Sequence, residues 1–179
     1  MMQSYDPYEA LPSVPAFTVT SEDFANMEPF KAAQYSGKMG IPGGEDASPQ
    51  LSWSGAPEGT KSFAVTVFDP DAPTGSGFWH WAAFNIPESA TSLPGNAANT
   101  DNLPQGTVQL RNDAGFAGFV GAAPPPGHGP HRYFVVVHAV DVETLDVPAD
   151  ATPAFLGFNL FTHTLARARM VGLAEVSAD

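Results

Sequence analysis

The chain is expected to fold as a mainly β protein, an antiparallel two-sheet β-sandwich with one peripheral C-terminal helix. Three observations predict it. Short apolar runs of strand length recur at residues 62–68, 79–86 and 132–142. The stretches between them are punctuated by 17 Gly and 18 Pro, a profile of many turns and short strands. Only one late segment combines helical spacing with helix start and stop signals.

Residues 1–15 are rich in Pro, Tyr and acidic side chains and read as an extended N-terminal arm. Residues 16–179 then form one domain, with no repeat and no linker. Residues 16–21 alternate weakly and predict a first strand; residues 34–49 are dense in Gly and Pro and predict a loop. The strongest strand is 62–68, where Phe63, Val65 and Val67 share one face and Ala64, Thr66 and Phe68 the other. Apolar residues on both faces place it in the middle of a sheet. It stops at Asp69-Pro70, because proline cannot continue an interior ladder. Residues 79–86 form a second strand closed by Pro87, residues 88–106 a long connection, and residues 107–110 a short strand ending at Asn112-Asp113. The Tyr-Phe-Val-Val-Val run inside 132–142 predicts a third buried strand. Thr152 is a good N-cap with Pro153 at the first helical position. Leu156, Leu160, His163 and Arg167 continue at near-helical spacing, Phe155, Phe158 and Phe161 widen the apolar face, and Gly172 marks the stop. Residues 171–176 are expected to add a last short strand.

At 179 residues the chain fits one domain with a real core, and without cysteine it has neither disulfides nor thiolate metal sites. Its formal net charge is −12, with 7 Lys plus Arg. Nucleic acid is excluded as a partner, since phosphate neutralisation needs clustered basic groups. Anionic bilayers are repelled for the same reason. The N-terminus has neither a basic nor an apolar leader region, and no stretch has the length of a membrane span, so a cytoplasmic location without membrane insertion is expected.

The chemistry concentrates in two proline-pinned segments at strand ends. One is Asp69-Pro70-Asp71-Ala72-Pro73, followed by Phe78-Trp79-His80-Trp81; the other is Pro124-Pro125-Pro126-Gly127-His128-Gly129-Pro130-His131-Arg132-Tyr133. Carboxylates two residues apart in a stiff turn can face one mouth. They can equally bond only their local backbone amides. Trp79 and Trp81 are placed to wall a pocket around His80. Arg132 reads as a buried partner of Asp69 or Asp71 rather than a ligand contact. His128 reads as exposed, and His138 and His163 as satisfied structural histidines. Two carboxylates oppose an anion, so protonated His80 or His131, or backbone N–H groups near Ala122-Ala123 or Gly127-His128-Gly129, must compensate. Tighter anion binding at mildly acidic pH follows.

These segments resemble the phosphatidylethanolamine-binding protein family, with its bacterial Raf kinase inhibitor-like branch the better match. Ser48-Pro49-Gln50-Leu51-Ser52-Trp53, Asn112-Asp113-Ala114-Gly115 and Val120-Gly121 agree with it, and the resemblance spans residues 17–172. It implies a large central antiparallel sheet, a smaller sheet against it and helices near the C-terminus. It also implies a ligand pocket at Asp69, Asp71, Pro73, His80, Pro125, His131 and Tyr133, supported by Trp79, Trp81, Ala123 and Arg132. The expected occupant is a phosphate-like anion or a zwitterionic phosphoethanolamine headgroup, bound without metal or cofactor. Phe119 and the Val171-Gly172-Leu173-Ala174 segment depart from the family, which often has tyrosine in both places.

The expected function is therefore non-enzymatic ligand binding, with regulation of a protein partner by occupancy. A hydrolase using the Asp/His cluster, with or without a metal, is the first alternative. Ser76 lies near the acidic turn, but no Gly-x-Ser-x-Gly elbow is present. An interaction scaffold with a vestigial pocket is the second. A homodimer is expected, as bacterial relatives commonly form one.

Overall fold

A six-stranded sheet carries the site and most of the core. The computed structural model describes residues 5–179, so residues 1–4 of the expected arm lie outside the described residues. The strands are β1 (Thr18–Thr20), β2 (Glu28–Pro29), β3 (Leu51–Ser54), β4 (Ser62–Asp69), β5 (Phe78–Pro87), β6 (Ser92–Leu93), β7 (Val108–Gln109), β8 (His131–Val140) and β9 (Thr164–Ala174). The large sheet runs β2-β9-β8-β4-β5-β7, and a three-stranded sheet runs β1-β3-β6. Every pairing is antiparallel except β2 with β9.

The central place of β4, bonded to β5 on one side and β8 on the other, follows from its two apolar faces. On one face Val65, Val67, Trp81, Val135 and Val137 join Val19, Leu51, Trp53 and Leu93 of the smaller sheet in one core. On the other, Ala64, Ala82, Phe84 and Val140 pack with Leu145, Val147, Leu156 and Leu160. The last two belong to helix α1 (Pro153–Leu160).

Helix α1 begins where expected: the Phe155 N–H donates to Thr152 Oγ1 at 3.1 Å, and Pro153 opens the first turn. It does not run to Gly172. It ends at Leu160, whose carbonyl accepts from the Thr164 hydroxyl at 2.8 Å, and residues 164–174 form an eleven-residue strand. The physical reason is visible in the sequence beneath the helical spacing. Ala166, Ala168, Met170 and Ala174 recur with period two and are buried, while Arg167 and Arg169 fall on the other face. The expected short strand at 171–176 is the end of this longer one. Three further strands, β2, β3 and β6, lie where no strand was expected. β6 sits within the stretch expected to be a plain connection, and each is too short to show a period of its own.

The described part of the arm is not a free tail. Residues 5–15 cross the outer face of β8 and β9, where Tyr8 packs on Phe134 with ring centroids 5.9 Å apart. Asp6 accepts two hydrogen bonds from Arg169, at 3.0 and 2.6 Å, and the Pro15 carbonyl accepts from the Arg167 N–H.

One glycine in β9 is demanded by packing. A Cβ on Gly172 would overlap the Phe30 ring, itself held edge-on by Phe24 at 5.0 Å and against Tyr133 at 5.3 Å. Gly172→Ala should therefore lower the unfolding free energy by about 1–3 kcal/mol. The check is the urea midpoint at unchanged m-value.

Candidate ligand site

The ends of three neighbouring strands meet at one mouth. β4 ends in Asp69, β5 begins with Phe78 and His80, and β8 begins with His131 and Tyr133. They line a pocket of about 220 Å³ together with Met39, Ala72, Pro73, Thr74, Ala123 and Pro125.

His80 reaches this mouth through a register shift. Val67 pairs with Trp81 but Phe68 pairs with Trp79, so His80 is an extra residue on β5. Such a bulge re-aims a side chain and restarts the alternation. As a result His80 faces the pocket, Trp81 lies in the inter-sheet core, and Trp79 faces the helix side against Phe68 at 4.4 Å. Neither tryptophan lines the pocket; its aromatic wall is Phe78 and Tyr133, whose rings lie 4.9 and 5.0 Å from the His80 ring.

The hydrogen bonds fix the protons. His80 Nδ1 donates to the Val120 carbonyl at 2.8 Å, so its Nε2 is a lone pair in the neutral ring. Burial disfavours the charged imidazole and moves His80 below its ordinary value, although the Val120 carbonyl and Asp69 act in the opposite direction. Tyr133 is pushed well above its ordinary value by burial and then by the Asp69 carboxylate, so it remains a phenol and a donor. His131 Nδ1 donates to Asp69 Oδ2 at 2.7 Å, and Asp69 Oδ1 accepts the Asp71 N–H at 2.7 Å. The remaining nitrogen, His131 Nε2, meets His128 Nδ1 at 2.6 Å. His128 is exposed, but left-handed backbone at Gly127 (φ 74°) and Gly129 (φ 87°) turns it back onto His131.

Asp71 does not line the pocket. Its Oδ2 accepts from the Arg132 N–H and Nε, and its Oδ1 from Nη2, each at 2.9 Å. Burial alone would raise Asp71, but these bonds outweigh it and hold the carboxyl below its usual range. Pro73, Pro125 and Ala123 form the rim, with Met39, Ala72 and Thr74, which carried no sequence signal for this role. Phe119 is buried against Trp81, and Ala174 is buried at the end of β9. The expected anion nest is largely spent: the N–H groups of Ala122, Gly127 and His128 donate to Gln34, Val176 and Pro125 carbonyls. Among the described residues no three His, Asp or Glu side chains converge as a metal site.

Breaking the Asp71–Arg132 pair should be costly, because a buried guanidinium would be left without its carboxylate. Asp71→Asn is expected to lose about 3–5 kcal/mol of stability. Since the folded Asp71 is depressed, the pair's contribution is complete above the unfolded value of about 3.9 and is lost as pH falls through the folded one. Acid unfolding monitored by circular dichroism should show this step in the wild type and lose it in the variant.

The phosphatidylethanolamine-binding protein family model matches residues 20–175. Over 163 residues the chain is 47% identical to YbcL of Escherichia coli strain K12, covering 90% of this chain and 88% of YbcL. It is 47% identical over 131 residues to YbhB of the same organism, covering 73% and 82%. The solved structure of E. coli YbcL, described as a member of the mammalian family of these proteins, superposes with a TM-score of 0.86 at 45% identity, over 90% of this chain and 99% of that one. A homolog of the family from Chlamydia trachomatis superposes at 0.75 with 28% identity, over 89% and 97%.

Proposed function

The chain belongs to the phosphatidylethanolamine-binding protein family, and from that premise we propose that the Asp69/His80/His131/Tyr133 pocket binds a small phosphate-type ligand, best a zwitterionic phosphoethanolamine headgroup. One observation carries this reading. The pocket floor presents both signs of hydrogen-bonding group under an apolar rim: acceptors at Asp69 and His80 Nε2, and a donor at Tyr133. An ammonium suits the acceptors and a phosphate oxygen suits the phenol. A bare dianion fits worse. At about 4 Å two negative charges repel by on the order of 4 kcal/mol at an effective dielectric constant of about 20, and the hydrogen bonds that Asp69 accepts offset only part of this.

Binding is non-enzymatic in this reading, and occupancy governs contact with a protein partner. The His131–Asp69 dyad makes a hydrolase the second reading, although His131 Nε2, the nitrogen that would act as base, is engaged by His128 Nδ1 at 2.6 Å. Against it, Thr74 is the one aliphatic hydroxyl among the lining residues, and it donates to the Gly77 carbonyl at 2.6 Å. Steady turnover of phosphoesters by metal-free protein, lost in His131→Ala, would establish the second reading over the first. The homodimer belongs to the same proposal, and a monomer mass at micromolar concentration would remove it.

Calorimetric titration tests the pocket. At pH 8 phosphoethanolamine should bind at least tenfold more tightly than inorganic phosphate, and His131→Ala should lose at least tenfold. His80 is depressed in the free protein, so an anion that raises it takes up a proton on binding. Phosphate affinity should therefore rise as pH falls from about 8 to 5, and a flat profile would sink the assignment.

A further inference from the structure

A second cavity lies on the opposite face of the large sheet, between β4, β8, β9, helix α1 and the folded-back arm. Its volume is about 200 Å³. Its walls are chiefly apolar: Leu11, Phe68, Trp79, Ala154, Leu160 and Phe161 are among them. Five polar side chains also line it: Tyr8, Thr66, His138, Thr164 and Arg167.

Two of these are left incomplete by the protein. His138 is 5% exposed and bonds Thr66 Oγ1 through Nε2 at 3.0 Å, yet its Nδ1 has no partner among the described residues. Arg167 is the register partner of His138 across β8 and β9, and its buried Nε also has none. Buried polar atoms are normally satisfied, so two such atoms in one cavity call for an explanation.

The charge census sharpens the point. Three arginines serve this region of an acidic protein. Arg132 takes Asp71 and Arg169 takes Asp6, whereas no carboxylate lies within ion-pair distance of Arg167 among the described residues. Its contacts are a 3.4 Å hydrogen bond from Nη1 to the Pro12 carbonyl and the Tyr8 ring 5.8 Å away. Burial lowers Arg167 from its ordinary value and pushes His138 down to about 3, so one uncompensated cation stands beside a neutral imidazole. A half-buried cation without a counter-ion costs free energy that an anionic ligand would recover.

We propose that this cavity is a second ligand site, distinct from the phosphate-type pocket, that takes a small apolar monocarboxylate. The carboxylate meets the Arg167 guanidinium beside His138, and the hydrocarbon part fills the walls formed by the sheet and α1. The size agrees: a dry cavity of about 150 Å³ accepts benzene, and this one is somewhat larger. Gly157 lines the cavity and has no atom within 4 Å of the place its Cβ would take. Gly157 is exposed at the cavity's edge, so a larger side chain there meets no clash and is free to narrow the entrance.

The test is amide NMR of the full chain titrated with sodium octanoate and, separately, octan-1-ol. Octanoate should shift amides at residues 66, 138, 157 and 167, and octan-1-ol should bind at least tenfold more weakly. Arg167→Gln and Gly157→Leu should each lower octanoate affinity at least tenfold, and a folded amide spectrum validates each variant. If Arg167→Gln does not fold, Gly157→Leu alone decides. No shifts at those residues, shifts confined to residues 69, 80 and 131, equal binding of octan-1-ol, or undiminished affinity in Gly157→Leu would each overturn the proposal. Because the readout is positional, it stands or falls independently of the phosphoethanolamine reading.

Discussion

The buried pair of Asp71 and Arg132 is the contact on which the site's architecture rests. Three hydrogen bonds join one carboxylate to one arginine, and a fourth runs from Arg132 Nη1 to the Tyr5 carbonyl at 2.7 Å. One residue thereby ties three separate segments: the acidic turn after β4, the start of β8, and the arm. The turn so anchored holds Asp69 where it can orient His131, and the arm so anchored roofs the second cavity. Bidentate geometry in a dry setting makes such a pair specific as well as strong.

The second constraint is the extra residue in β5. Strict alternation would send His80 to the face opposite Trp81; the bulge lets both face the small-sheet side. A single register shift thus separates two chemistries across one sheet. On one side lies the Asp/His/Tyr floor, and on the other the apolar cavity with Trp79, His138 and Arg167. Each site borrows rigidity from β4 and β8, which are hydrogen-bonded on both edges.

Electrostatics distributes the few cations economically. With 7 Lys plus Arg against 19 Asp plus Glu, each cation has carboxylates in excess to pair with. Yet among the described residues Arg167 stands without one while Arg132 and Arg169 are paired. In the pocket at the ends of β4, β5 and β8 the situation is reversed: Asp69 accepts from His131 and a backbone amide rather than from an arginine.

Much was legible in the residues themselves. Two apolar faces at 62–68 and the run expected at 132–142, of which β8 takes His131–Val140, set the middle of the sheet, because burial on both sides removes the need for alternation. Thr152 and Pro153 marked the helix start, because capping is local chemistry. Asp69, His80 and His131 stood out as polar groups at strand ends, and the family resemblance added Tyr133. Other features were decided only by the fold. Residues 164–174 carry both a helical and a period-two pattern, and the open edge of β8 selected the strand. The separate fates of Asp69 and Asp71 depended on which carboxylate Arg132 could reach from β8. The loss of the tryptophan walls came from one bulge, which no count of residues reveals. Short-range preferences are written along the chain; pairing, register and the partners of buried charges exist only once distant segments meet.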